Sequence, residues 1–160
     1  MRLVFATSPS TKHFELLKKC NVEHILVSYH LVKKVSELER KMGDYMPKTF
    51  ILDSGAFSVW ANGGHIDLFA YTQFAKRLRE WLPPEVELNV VNLDVLPGKF
   101  GQTPTMEERE KSAEEGWKNM LALEAEGLKV IHVYHQHEDL KWLHQMREHL
   151  PYIGISPAND

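Results

Sequence analysis

Apolar positions along the chain fall into two alternating patterns. Short runs rich in β-branched residues occur at 3–6, 25–29, 49–53, 88–96, 130–134 and 152–155, and each predicts a strand. Between them, apolar residues recur at helical spacing. Leu31, Val35, Leu38 and Met42 form one stripe. Leu68, Tyr71, Ala75, Leu78 and Leu82 form a second, with Asp67 placed as its N-cap. Ala113, Trp117, Met120 and Leu121 form a third, opened by the capping-box pattern Thr105-Met106-Glu107-Glu108 and ended at Gly127. Leu140, Leu143, Met146 and Leu150 form a fourth, closed by Pro151. Residues 10–20 predict a weaker first helix with Phe14 and Leu17 inward.

Strand and helix in strict alternation predict an α/β fold with a parallel sheet and right-handed crossovers. An open doubly wound sheet and a parallel (β/α) barrel of TIM type both satisfy the pattern. The turn after the first strand is Thr7-Ser8-Pro9-Ser10, which lacks the glycines of a dinucleotide site. The spacing of about 27 residues per unit lies close to that of a barrel. The expectation is one domain over residues 1–160, with about six βα units forming the N-terminal part of a (β/α)8 barrel. A complete six-stranded open sheet is the alternative.

Composition narrows the class. The chain has 160 residues, 43% hydrophobic and 26% charged, enough apolar mass for a packed core. A single cysteine, Cys20, excludes an internal disulfide and a self-contained cysteine-rich zinc site, and it fits a reducing, cytoplasmic setting. A net charge of −3 offers no overall basic surface for nucleic acid, and Lys33-Lys34 and Lys76-Arg77 read as solvated helix faces. No stretch approaches the roughly 18 apolar residues of a membrane span, so no membrane partner is expected.

Parallel α/β folds gather their sites at the carboxyl ends of the strands. The third predicted strand runs into Asp53-Ser54-Gly55-Ala56-Phe57-Ser58, and the fourth contains Leu93-Asp94 before Pro97-Gly98. The fifth delivers His132, His135, Gln136, His137, Glu138 and Asp139, and the sixth ends in Gly154-Ile155-Ser156. An ionised carboxylate at a half-buried strand end is costly unless it is paired. Asp53 and Asp94, on neighbouring ends, are therefore candidates for chemistry, with local backbone capping as the other reading. Gly55 permits a tight turn and close approach of a ligand. The glycine-bearing loops 61–65 and 98–101 are candidate lids. The histidines suggest a metal at first sight, but His132 and His135 point to opposite faces of a regular strand. Glu138-Asp139 suit the positive end of the following helix.

These strand ends resemble the tRNA-guanine transglycosylase superfamily. Asp53-Ser54-Gly55-Ala56-Phe57-Ser58 is similar to its DSGGFQ or DSGAFQ segment, and Leu93-Asp94 stands where it carries a second base-recognising aspartate. His135-Gln136-His137 through Leu140 lies near its QGG segment, and residues 152–156 near its YAIGG segment. The likeness spans strands three to six. It departs at Ser58, where the family has glutamine, and at Ile155-Ser156, where it has a glycine pair. The resemblance implies a (β/α)8 barrel that exchanges guanine for a 7-deazapurine such as queuine or its precursors, in tRNA or DNA. Ser58 and the compact helices lean toward the DNA-modifying branch of bacteria and phages. The family's nucleophilic aspartate and its three-cysteine, one-histidine zinc site lie later than the segments matched. No metal or cofactor is therefore expected within this chain, and structural zinc is expected only in a further C-terminal region.

On this reading Asp53 is catalytic, moving a proton as one base leaves and another enters. Asp94 accepts the paired N–H donors of a guanine-like edge. Ser54, Gly55, Phe57, His135, Gln136 and Ser156 complete the substrate-binding set, with Phe57 stacking on the ring and His135 or Gln136 reading the carbonyl side. The target base must be flipped out of its stack. Two other readings remain: a metal-dependent barrel hydrolase or lyase using Asp53, Asp94 and His135 or His137, and a non-catalytic barrel-derived binding module.

Overall fold

The computed structural model describes residues 3–156. Six strands alternate with six helices: β1 (Phe5–Ala6), α1 (Thr11–Lys19), β2 (His24–Ser28), α2 (Val35–Met42), β3 (Thr49–Asp53), α3 (Ala56–Ala61), α4 (Leu68–Trp81), β4 (Glu87–Val91), α5 (Met106–Ala125), β5 (Val130–His135), α6 (Leu140–His149) and β6 (Ile153–Ser156). All strand pairs are parallel, and their order in the sheet is their order in the chain. Sequential order has no point at which the winding reverses, which separates this sheet from the doubly wound alternative. With crossovers of one hand, α1, α2, α4, α5 and α6 supply the layer packed on one face, and the sheet curls into a half-barrel.

Alternation along each strand divides the two faces. Ile25, Val27, Phe50, Leu52 and Val90 point into the helical layer and join Phe14, Leu38, Tyr71, Leu78, Met120 and Leu123 in one continuous core. A smaller cluster of Ala113, Tyr134, Trp142 and Met146 holds α6 against α5 and β5. The concave face carries the other set. Leu26 pairs with Ile51 and Ser28 with Asp53, while Thr49 pairs with both His24 and Glu87. Ile155 belongs to the helical face yet is 62% exposed, since no helix of the described residues lies over β6.

Local chemistry explains the element boundaries. Ser10, Asp67 and Asp139 cap α1, α4 and α6 by accepting backbone N–H groups. Thr105 and Glu108 form the reciprocal capping box at the start of α5. Gly127 leaves that helix at φ +76°.

Several sequence expectations are corrected. The stripe from Leu31 to Met42 begins late: residues 29–31 form a 3₁₀ turn, Val32 and Lys34 are extended, and Val32 takes the buried place while Leu31 faces solvent. Leu121 is exposed, because the inward stripe of α5 runs Ala113, Gly116, Met120, Leu123. Leu140 is also exposed, since Trp142 fills the space under α6 and donates its indole N–H to Glu110 at 3.2 Å. The fourth strand stops at Val91 rather than reaching residue 96. Beyond it, the Asn92 side chain turns to α5 and donates to the Gly116 carbonyl at 2.9 Å. The Leu93 carbonyl likewise accepts from Asn119 at 2.9 Å. The Asn92 backbone N–H still donates to the Ile131 carbonyl at 2.8 Å, and beyond it a carbonyl and a side chain of α5 take over from the sheet ladder. The short helix α3 falls in a stretch that sequence periodicity leaves as loop.

The Tyr71 hydroxyl, fully buried on α4, ties β3 to β4 at their carboxyl ends. It donates to the Val91 carbonyl at 2.7 Å, with the Leu52 carbonyl 3.1 Å away sharing the proton. Tyr71→Phe should lower stability by about 1–3 kcal/mol, because buried carbonyls lose their donor. Urea unfolding measures this, and an unchanged midpoint would count against the tie.

Candidate functional site

Parallel pairing brings the carboxyl ends of β2 to β6 to one rim. Asp53 closes β3 directly opposite Ser28 of β2. Asp94 follows β4 by three residues, and His135 closes β5 opposite Ser156 of β6. Both aspartate charges act on the buried Tyr71 phenol, whose pKa is raised well above its ordinary value by burial first and by Asp53 and Asp94 next. Asp53 ends β3 and Asp94 follows β4, the two adjacent strands whose carbonyls Leu52 and Val91 share the Tyr71 hydroxyl.

A gap opens at this rim because the ladders are staggered. β5 pairs with β4 only through Val130 and Ile131, and then continues against β6 from His132 to His135. As the chain after β4 bends toward α5, Asp94 comes opposite the end of β5. Its Oδ2 lies 3.5 Å from His135 Nε2, an ion-pair distance too long for a hydrogen bond. Asp94 Oδ1 and His135 Nε2 are buried with no hydrogen-bond partner. Unspent hydrogen-bonding capacity at a buried carboxylate and imidazole is expensive unless a ligand or water meets it. Asp94 lines a cavity of about 420 Å³ together with Ala56, Trp60, Leu68, Leu93 and Asn119 among others; Asp53, Ser54, Gly55, Phe57, His135, Gln136 and Ser156 are not part of its wall. A larger apolar cleft of about 590 Å³ runs along the β1 edge from Leu3 to His24, away from these groups.

Asp53 is held differently. Its Oδ2 accepts the Ser28 hydroxyl at 2.7 Å, and Ser28 Oγ in turn lies 2.9 Å from His30 Nδ1. Gly55, at φ +78°, roofs this group: a Cβ there would come within 2.3 Å of His30 Nδ1 and 2.7 Å of Ser28 Oγ. The close approach that Gly55 permits is thus made by protein side chains. Ser54 is buried, and its Oγ accepts the Ala56 amide at 3.3 Å, a local cap for α3. Phe57 is 47% exposed and packs edge-on with Phe100 and tilted with Trp60, with centroids 6.1 and 6.0 Å away. Trp60 also donates to the Gly98 carbonyl at 3.2 Å, linking α3 to the loop 98–101. Gln136 is exposed on the turn after β5.

The histidines separate as strand alternation requires. His132 faces the helical layer, where Asn92 Nδ2 donates to its Nδ1 at 2.9 Å. An accepting Nδ1 leaves the neutral ring protonated at Nε2, and burial pushes its pKa down to about 4. His135 faces the rim. Burial pulls its pKa down, but Asp94 outweighs that and the net direction is up. His137 is lowered by burial and by the nearby positive charges of His135 and Arg109. Glu138 is raised, chiefly by burial. Among the described residues no group of three His, Cys, Asp or Glu side chains is placed to hold a metal ion. No helix among them is long and apolar enough to cross a membrane.

Ser28 and His30 are the members of this rim that sequence reading passes over. The signal was available: the polar end of the second strand is as informative as the ends of the third to sixth. Trp60, Phe100 and Arg109 carried no signal, since their placement depends on how loops and α5 fold back over the sheet. No family model matches the chain, and no curated protein does.

Two expectations follow from the electrostatics. Asp94→Asn should lower the His135 titration midpoint, followed by imidazole carbon chemical shifts, because the charge that raises it is gone; an unmoved midpoint would contradict the pairing. His132 has a folded pKa below its unfolded value of 6.5, so the unfolded chain takes up the proton first. Its contribution is therefore present above pH 6.5 and is lost as pH falls toward about 4. Replacing His132 by Gln should flatten the fall in urea midpoint across that window by about one proton's worth of slope. His135, shifted the other way, contributes at low pH and loses its contribution as pH rises, outside that window.

Proposed function

We propose that this domain belongs to a base-exchange transglycosylase that replaces guanine by a 7-deazapurine in tRNA or DNA. The observation that supports the reading is Asp94, whose Oδ1 is buried and unspent in the wall of a cavity, 3.5 Å by its Oδ2 from the equally unspent His135 Nε2, following the strand next to the one that ends in Asp53. A guanine-type edge offers two N–H donors side by side, and a carboxylate offers two acceptor oxygens. Asp94 suits that edge, and His135, whose pKa the same carboxylate raises, can donate to the base carbonyl. Ser156, the ladder partner of His135, and Gln136, on the exposed turn that follows it, are assigned to the remaining polar atoms. The half-exposed Phe57 ring, with Trp60 and Phe100, supplies aromatic surface of the kind on which an unstacked base rests.

In the exchange, the bond from ribose C1′ to guanine N9 breaks, and the bond to N9 of the incoming base forms. One proton moves from the incoming N9 to the departing guanine. Asp53 is the group assigned to carry it. The attacking nucleophile is assigned to no residue of this chain. The same proposal takes the curled sheet as part of a TIM-type barrel, in which two further βα units would join β6 back to β1.

Asp53→Ala and Asp94→Ala in the full protein should each lower base exchange by about 100-fold or more while leaving the circular dichroism spectrum unchanged. Nucleoside mass spectrometry of guanine-containing tRNA and duplex DNA, incubated with a 7-deazaguanine base, measures this. Wild-type turnover by either variant would reject the assignment.

A further inference from the structure

We propose that His30, Ser28 and Asp53 form a directional proton relay in which Ser28 and His30 position and load the Asp53 carboxyl. The role given to Asp53 rests on the transglycosylase reading; the relay itself rests on geometry. Three contacts define it: Ser28 Oγ to Asp53 Oδ2 at 2.7 Å, Ser28 Oγ to His30 Nδ1 at 2.9 Å, and Gly55 packed so closely over both that no side chain fits there.

Proton counting sets the direction. A serine hydroxyl has one proton, and an ionised carboxylate can only accept. The Ser28 proton therefore lies on the Asp53 side, and Oγ must accept from His30. That fixes the His30 ring as the Nδ1–H form. The tautomer matters, because an imidazole that donates through Nδ1 keeps Nε2 free to exchange protons.

The relay moves a proton without net change in its middle member. An imidazolium at His30 passes its Nδ1 proton to Ser28 Oγ as Ser28 passes its own to Asp53 Oδ2. The products are a neutral Nε2–H imidazole, an intact serine and a carboxylic acid at Asp53. The acid then protonates the departing base, and the reverse sequence accepts a proton from the incoming one. Between transfers the Ser28 hydrogen bond holds the Asp53 carboxylate in one rotamer. Ser28 and His30 are thus positioning residues, acting on substrate only through Asp53.

Ring-nitrogen chemical shifts of His30 provide a readout that needs no turnover. Wild type should show the Nδ1–H tautomer, and Ser28→Ala should return the ring to the Nε2–H form usual for free imidazole. In the exchange assay, Ser28→Ala should reduce kcat by about 100-fold with KM for the nucleic acid little changed, as expected when a reacting group is misplaced. Ser28→Thr, which keeps the hydroxyl, should restore most of the rate. His30→Asn keeps a donor near the Nδ1 position but cannot release a proton, so it should hold KM and lose kcat. An Nε2–H ring in wild type, or a Ser28→Ala protein with unchanged tautomer and unchanged kcat, overturns the relay. The Nδ1–H signature in a wild-type protein that exchanges no base supports the relay and rejects the transglycosylase reading instead.

Discussion

Parallel pairing in unbroken chain order is the constraint on which the structure rests. Each strand must travel back through a helix before it can pair again, so every carboxyl end arrives at the same rim and the crossover helices arrive on the same face. The register then decides who meets whom. Ser28 stands opposite Asp53 and His135 opposite Ser156, because the ladders of β2–β3 and β5–β6 run to their last residues. Between them β4 gives up its ladder early, and the polar residues of the rim gather in that gap.

The energetic logic differs at the two aspartates. Asp53 is satisfied from within: Ser28 donates to it and Gly55 makes room for the histidine behind. Asp94 is left with one buried oxygen unspent and a histidine at ion-pair distance. A folded chain tolerates such a group when the rest of the site is rigid. Here Tyr71 ties the strands below, and Asn119 fixes the backbone one residue before Asp94. A carboxylate held in place but not fully paired is ready to accept donors from something else.

On the other face of the sheet, Asn92 and His132 form a second polar pair, joined by a direct hydrogen bond. Both are buried among helices, and each keeps a polar atom without a partner. His132 stays neutral there, whereas three residues later His135 is drawn toward the charged form by Asp94. Environment, and not residue type, separates a packing histidine from a candidate functional one.

The sequence by itself determined the alternation of strands and helices, the caps at Asp67 and Thr105, the acidic start of α6, and the arrival of Asp53 and His135 at strand ends. Those features are local: periodicity, capping chemistry and strand alternation act within a few residues. It also separated His132 from His135, since alternate faces need no knowledge of neighbours. Only the tertiary structure decided that β4 ends at Val91, that Leu121 and Leu140 face outward, and that Ser28 and His30 stand behind Asp53. Each of these depends on a partner distant in the chain. The β4 strand ends because α5 takes the Asn92 side chain and the Leu93 carbonyl, Trp142 displaces Leu140 by filling the space beside Tyr134, and Ser28 reaches Asp53, twenty-five positions further along the chain. Contacts of that range follow from how elements pack, which the local pattern along the chain does not encode.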